Sequence, residues 1–255
     1  MLFVSPIVPV VPMRAEASHR YEMISQFLFG EVAELLEKYN DFYKVRLLHD
    51  GYEGWCQANQ MHEISEITLL NGSLLLNGDT FGVVGMNDSN MHIPFGLPLF
   101  FFENGKAEIG HYKMKFEGNY WNPLKSNFNE ETIKTLTTKY LNTSYLWGGR
   151  TIYGIDCSGF TQQIFRLLNI KLPRDAYQQA SFGEIVAFLQ EATCGDLAFF
   201  DNAEGKITHV GIMLDEATII HASGKVRVDD IDNYGIINRD TGERTHQLRI
   251  IKRYQ

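Results

Sequence analysis

An α+β architecture, in which two small β-barrel modules precede a helix-then-strands domain, is what this 255-residue sequence predicts, and three features of its texture predict it. Up to about residue 125, short apolar runs are broken by Gly, Asn and Pro in the manner of strands and turns. Two stretches after that point carry apolar residues at helical spacing. From Asp196 onward the pattern returns to short runs separated by Asp, Glu and Gly-rich turns. The expected domains are residues 1–61, residues 62–126 including a connector, and residues 127–255.

In the first module, Phe42 to Leu48 (FYKVRLL), His49 to Gly51 (HDG) and Tyr52 to Cys56 (YEGWC) read as strand, tight turn and strand, because β-branched and aromatic residues flank an Asp-Gly pair. Glu31 to Tyr39 (EVAELLEKY) is ambiguous, since Val32, Leu35, Leu36 and Tyr39 also fit a helical stripe; its neighbours assign it to strand. The second module carries strand signals from Ile67 to Met86 and from Leu97 to Gly118, with Asn-Gly turns at Asn71–Gly72 and Asn104–Gly105. Trp121 to Asn129 is the connector.

The third domain opens with Glu131 to Asn142, where Ile133, Leu136, Tyr140 and Leu141 share a helical face behind an acidic first turn. Asp156 to Ile170 places Phe160, Ile164, Leu167 and Leu168 on a buried stripe, and Pro173 ends that helix. Asp196 to Phe200, Ile207 to Leu214, Thr218 to Ser223, Val226 to Val228 and Leu248 to Arg253 read as the strands of an antiparallel sheet. A helix followed by a meander that packs against it is an α+β domain.

Composition excludes several classes of function. A chain that is 44% hydrophobic and 21% charged is not disordered over most of its length. A net charge of −8, with no basic run interleaved with aromatics, argues against a nucleic-acid partner. No segment reaches the roughly 18 apolar residues of a membrane span. The apolar start, Leu2 to Pro12, carries three prolines and no basic region before it, so no signal peptide is read. Cys56, Cys157 and Cys194 are too scattered for a disulfide framework, and a cytoplasmic setting and a monomer are expected.

Cys157 sits where a Gly-rich turn, Tyr145 to Asp156, runs into the buried helix. Unpaired N–H groups and the positive end of the helix dipole favour a thiolate there and can hold an oxyanion. A free cysteine packed as a small hydrophobe is the alternative. If Asp215, Glu216 and Ala217 form a loop, Gly211 lies opposite His221 and His209 is the diagonal neighbour. Both imidazoles then project from one sheet face, placed to act as base and orienter or simply satisfied within the sheet. A metal site is a third reading, but neither Cys-x-x-Cys nor His-x-x-x-His spacing occurs, so no metal or cofactor is expected.

Tyr145-Leu-Trp-Gly-Gly149, Asp156-Cys-Ser-Gly-Phe160, Gly195-Asp-Leu-Ala-Phe-Phe200, Thr208-His-Val-Gly-Ile212 and Ile220-His-Ala-Ser223 resemble the NlpC/P60 cysteine peptidases, papain-like hydrolases of cell-wall peptides. The resemblance covers about residues 128–255 and implies Cys157 as nucleophile, His209 as general base and His221 as the polar residue that orients it. Gln26-Phe-Leu-Phe-Gly-Glu31, Phe42-Tyr-Lys-Val-Arg46 and Asp50-Gly-Tyr-Glu-Gly-Trp55 resemble bacterial SH3 (SH3b) modules, which implies that two of them precede the catalytic domain.

SH3b modules ahead of such a domain, with Tyr145 and Trp147 before the nucleophile, are similar to the YkfC-type γ-D-glutamyl-L-diamino acid endopeptidases. That likeness implies a free murein peptide with an unblocked N-terminal L-Ala as substrate and a role in cell-wall peptide recycling. An ammonium needs an acidic partner, and Asp156 beside the nucleophile is the first candidate. Tyr145 and Trp147 would wall the same pocket and Ser158 would add a hydrogen bond, although Asp156 can instead cap the helix and the aromatics can be core. In the resembling enzymes a Glu and a Tyr from the first SH3b module complete the pocket; Glu22 and Tyr52 are assigned here, with Glu53 the competing acid. The competing functions are a papain-like hydrolase or acyl transferase for another acyl group, and a non-catalytic wall-peptide-binding protein.

Overall fold

A computed structural model describes residues 1–65, 69 and 72–254. The part of the second module's expected strand signal at Ile67, Thr68, Leu70 and Asn71 lies outside the described residues. Two compact units emerge, Met1–Lys125 and Ser126–Gln255. Among the described residues, strands predominate, helices are few, and no helix is long and apolar enough to cross a membrane.

In the first unit β1 (Phe3–Pro6), β2 (Val10–Arg14), β3 (Met23–Leu28), β4 (Ala33–Tyr39), β5 (Phe42–Leu47), β6 (Glu53–Gln57) and β7 (Met61–Ile64) form one antiparallel sheet in the order β3-β2-β6-β5-β4-β1-β7. The β5–β6 hairpin turns where expected: Asp50 accepts the Tyr52 N–H at 3.0 Å, and Gly51 takes the left-handed φ of +76° that its position requires. The segment that read equally as helix is β4. Its pairing with β5 slips between Leu35 and Glu37, and such a bulge breaks the two-residue alternation by which a strand is recognised.

The remaining strands of this unit are β8 (Leu76–Asn77), β9 (Phe81–Met86), β10 (Ser89–Pro94), β11 (Lys106–Ile109), β12 (Tyr112–Phe116) and β13 (Tyr120–Trp121). They form a four-stranded sheet, β10-β9-β12-β11, and a short β13-β8 ladder. Asn104 and Gly105, at φ of 50° and 75°, make the expected two-residue turn between bridged Glu103 and Lys106. Leu28, the last residue of β3, and Phe29 after it complete the core built on Val84, Ile93, Leu97 and Phe116. The boundary expected at residue 61 falls at the start of β7, which still belongs to the first sheet, and both sheets lie inside one compact unit.

The second unit contains α1 (Glu130–Thr138), β14 (Arg150–Thr151), β15 (Gly154–Ile155), α2 (Cys157–Leu167) and α3 (Ala176–Gln179), followed by β16 (Glu184–Val186), β17 (Leu197–Asp201), β18 (Ile207–Met213), β19 (Thr218–Ser223), β20 (Lys225–Asp232), β21 (Gly235–Ile237) and β22 (Arg244–Arg253). The sheet runs β16-β22-β17-β18-β19-β20-β21, and β21 pairs back onto β22. Six strands thus close into a ring, a pairing that the expected antiparallel meander did not include. Closure depends on the polar half of β22: Arg244, His246 and Gln247 pair with β21, and the following residues pair with β17. That half has no apolar run to announce it as a strand. Helix α2 ends before Pro173, in a left-handed Asn169 (φ 62°) with the Ile170 N–H returning to the Phe165 carbonyl at 2.8 Å.

Candidate active site

The β14–β15 hairpin delivers the chain directly into α2, so Asp156 is the N-cap and Cys157 the first helical residue. Oδ1 of Asp156 accepts the Gly159 N–H at 2.7 Å and Oδ2 accepts the Gly148 N–H at 2.9 Å, which ties the Gly-rich turn to the helix start. Arg174, also buried, grips the same carboxylate with both Nη atoms and donates to Ser158 Oγ at 2.9 Å. The carboxylate proposed to meet a ligand ammonium therefore already has a guanidinium partner, and an ammonium there would share it.

Cys157 is 7% exposed. Burial, seconded by the Asp156 charge, pushes its thiol up to about 12, while the Val210 and Ser158 N–H groups and Arg174 pull the other way. The acidic thiol expected from the helix dipole is thus corrected: desolvation and an adjacent carboxylate outweigh it. The Val210 contact also sets the sulfur beside β18, one residue after His209.

Strands β18 and β19 have the expected register, with Gly211 opposite His221. Asp215 sets it by accepting the Ala217 N–H and the Thr218 hydroxyl, each at 2.8 Å. His209 Nε2 lies 2.8 Å from His221 Nδ1, with the rings at 86°. His221 Nε2 lies 3.0 Å from Asp229 Oδ2, and Arg227 and the Arg239 N–H also bond Asp229. Burial works to raise the Asp229 carboxyl, but the bonds from His221, Arg227 and Arg239 overcome it and hold the group well below the usual carboxylate range.

These contacts constrain the tautomers. An ionised Asp229 only accepts, so His221 Nε2 carries hydrogen, and with His221 Nδ1 as the acceptor the bond between the rings is donated by His209 Nε2–H. The lone pair of neutral His209 is then at Nδ1. Burial, with His221 and His246 beside it, lowers His209 well below 6.5, so the ring is neutral at physiological pH. A buried thiol and a neutral imidazole backed by a buried carboxylate can transfer a proton and perform nucleophilic chemistry.

Tyr145 is half-buried, and its phenol is pushed up by burial and by Cys157 and Asp156, which places it at this site. Trp147 is 60% exposed, so the core alternative does not describe it. Glu22 and Tyr52 belong to the other unit. Glu22 is exposed ahead of β3, while Tyr52 packs on the first unit's core. Glu53 is tied to Arg46 at 2.7 Å and to Lys44 at 3.5 Å. Sequence reasoning missed Arg174, Asp229 and His246. Strand parity could have found Asp229: His221 pairs with Arg227, and two residues further along the same face is Asp229.

Residues 142–245 match the NlpC/P60 family model, and residues 13–61 match the bacterial dipeptidyl-peptidase Sh3 domain. Residues 62–126 lie outside that second match. Over 213 residues, 78% of this chain and 71% of the relative, the sequence is 29% identical to gamma-D-glutamyl-L-lysine dipeptidyl-peptidase of Bacillus subtilis strain 168. A 127-residue stretch, 49% of this chain, is 32% identical to a probable endopeptidase of Haemophilus influenzae, over 76% of that protein. The crystal structure of an NlpC/P60 family protein from Bacillus cereus ATCC 10987 matches at a TM-score of 0.82 and 18% identity, over 99% of each chain, a likeness of fold.

Proposed function

The chain belongs to the NlpC/P60 family of peptidases, and from that premise we propose that it is a cysteine peptidase cutting the γ-D-glutamyl–diamino acid bond of murein peptides with an unblocked N-terminal L-Ala. The observation that carries the chemistry is the hydrogen-bonded series from His209 through His221 to Asp229, which begins on the strand that also contacts Cys157. The Bacillus subtilis relative named for this cleavage supports the choice of bond.

Because the resting pair is neutral, His209 Nδ1 takes the thiol proton as Cys157 Sγ bonds to the γ-carbonyl carbon of D-Glu. N–H groups at the start of α2 hold the oxyanion. The protonated His209 then gives its proton to the departing diamino-acid amine, leaving a thioester. Water, deprotonated by His209, hydrolyses that thioester, and the proton returns to the sulfur. Throughout, the His221–Asp229 pair keeps the His209 lone pair on Nδ1 and stabilises its charged form.

In this reading Tyr145, Trp147 and Ser158 line the pocket for the L-Ala end, and Asp156 shares its charge between Arg174 and the substrate ammonium. A free N-terminus as the recognition feature fits peptides already released from the wall, hence recycling in the cytoplasm. Mass spectrometry of the protein with L-Ala-γ-D-Glu-meso-diaminopimelate and its N-acetylated form tests the reading. Release of L-Ala-D-Glu from the free-amine peptide alone is expected. Cleavage of both would discard the amine pocket, and cleavage of neither would discard the substrate class.

A further inference from the structure

His246, on the polar half of β22, stacks on His209 with ring centroids 4.1 Å apart and planes at 26°. It meets His221 edge-on at 5.7 Å and Phe200 at 5.9 Å, and its Nδ1 lies 2.8 Å from Thr245 Oγ1. Phe200 also approaches His209, at 5.7 Å. His209 is therefore bounded by a stacked ring, a perpendicular imidazole bonded to its Nε2, and Phe200 at a tilt. Only the second of these contacts is polar. One hydrogen bond leaves an imidazole able to swing about that bond; a flat ring against its face removes the freedom.

His246 also lines a groove of about 640 Å³ with Tyr234, Arg244 and Gln247, so its ring stands between an open surface and His209. His209 itself is 6% exposed. We propose that His246 is a positioning residue for the reaction: its ring holds the His209 imidazole in the plane for proton exchange with Cys157 and keeps water off that face. This rests on the cysteine-peptidase reading. Burial and His221 lower His246 to about 4, so it does not compete for the thiol proton near neutrality. When His209 becomes cationic, the same ring presents a π face to it.

The mechanism depends on a ring and not on a titrating nitrogen, so two substitutions of the full chain separate them. His246→Phe retains a flat aromatic face, whereas His246→Leu fills similar space without one. The readouts are kcat and KM for the free-amine tripeptide, and the rate at which iodoacetamide alkylates Cys157, which needs no substrate. The leucine variant is expected to lose about tenfold in kcat with KM within about twofold, and to alkylate several-fold more slowly, while the phenylalanine variant stays within about threefold of wild type in both. Equal behaviour of the two variants, whether both active or both impaired, would overturn the proposal. Should the wild type cleave no peptide, the substrate reading has failed, and the alkylation rates alone decide the role of His246.

Discussion

His221 and Asp229 meet at 3.0 Å between adjacent strands, with Arg227 and the Arg239 N–H occupying the rest of the carboxylate. The carboxylate is thereby an obligate acceptor, and the hydrogen on His221 Nε2 follows from it.

Asp229→Asn keeps the shape and removes that obligation, since an amide can donate to His221 and reverse the tautomers. The expected outcome is a kcat lower by about two to four orders of magnitude with a small change in KM, consistent with loss of a positioned general base. Steady-state kinetics on the folded variant check it; a kcat within a few-fold of wild type would remove Asp229 from the mechanism.

Resting charge is a separate prediction. With the Cys157 thiol up at about 12 and His209 lowered, no thiolate–imidazolium pair is expected at pH 7. A wild-type minus Cys157→Ala ultraviolet difference spectrum should lack thiolate absorbance there. Because His209 must be neutral to act, activity is lost only as pH falls through its lowered pKa, so the acid limb of kcat/KM belongs below 6.5.

The same shifts set a sign for stability. His209 and His246 bind protons more readily unfolded than folded, so the stability of the native state declines as pH falls below 6.5, and the His246 contribution is exhausted near 4. Asp229 has its pKa depressed on folding, so its contribution is complete above about 4 and lost below. A thermal melt series across pH should show His246→Phe flattening the upper window and Asp229→Asn the lower one.

Arg174 is 2% exposed and Asp156 6%, so removing one leaves the other charged and buried. Arg174→Ala is expected to cost about 3–5 kcal/mol in urea unfolding. Asp156→Asn keeps a helix cap but withdraws the carboxylate charge from Arg174, so it too should destabilise, and the loss of reaction with free-amine peptide must be judged on the folded fraction. Full stability in both variants would contradict the ion pair.

Gly211 faces His221 across the ladder, where an added Cβ would stand 2.7 Å from Ile219 Cδ1 and 2.9 Å from His221 Cβ. Gly211→Ala should therefore cost about 1–3 kcal/mol and displace His221, lowering kcat more than it raises KM. Chemical denaturation and kinetics read the two effects separately.

Much of this was legible from local chemistry. The Asp-Gly hairpin, the buried stripe of α2 and the odd loop that sets His221 opposite Gly211 all follow from turn residues and periodicity. What escaped depends on partners distant in sequence. Arg174 reaches Asp156 across 18 residues from a segment with no regular period, and His246 lies on a half-strand whose pairing exists only because the ring closes. The Cys157 thiol is pushed up where the helix dipole alone predicts the reverse, because a helix start and an adjacent Asp156 can be read from sequence while the depth of burial cannot.

The central claim is that Cys157 carries the acyl group of a γ-D-glutamyl peptide. Rapid acid quench of the protein with L-Ala-γ-D-Glu-meso-diaminopimelate, followed by intact-mass measurement and peptide mapping, tests it most directly. The account predicts an L-Ala-D-Glu adduct on Cys157, absent from Cys56 and Cys194 and lost in Cys157→Ala along with all cleavage. Cleavage that persists in Cys157→Ala would contradict it.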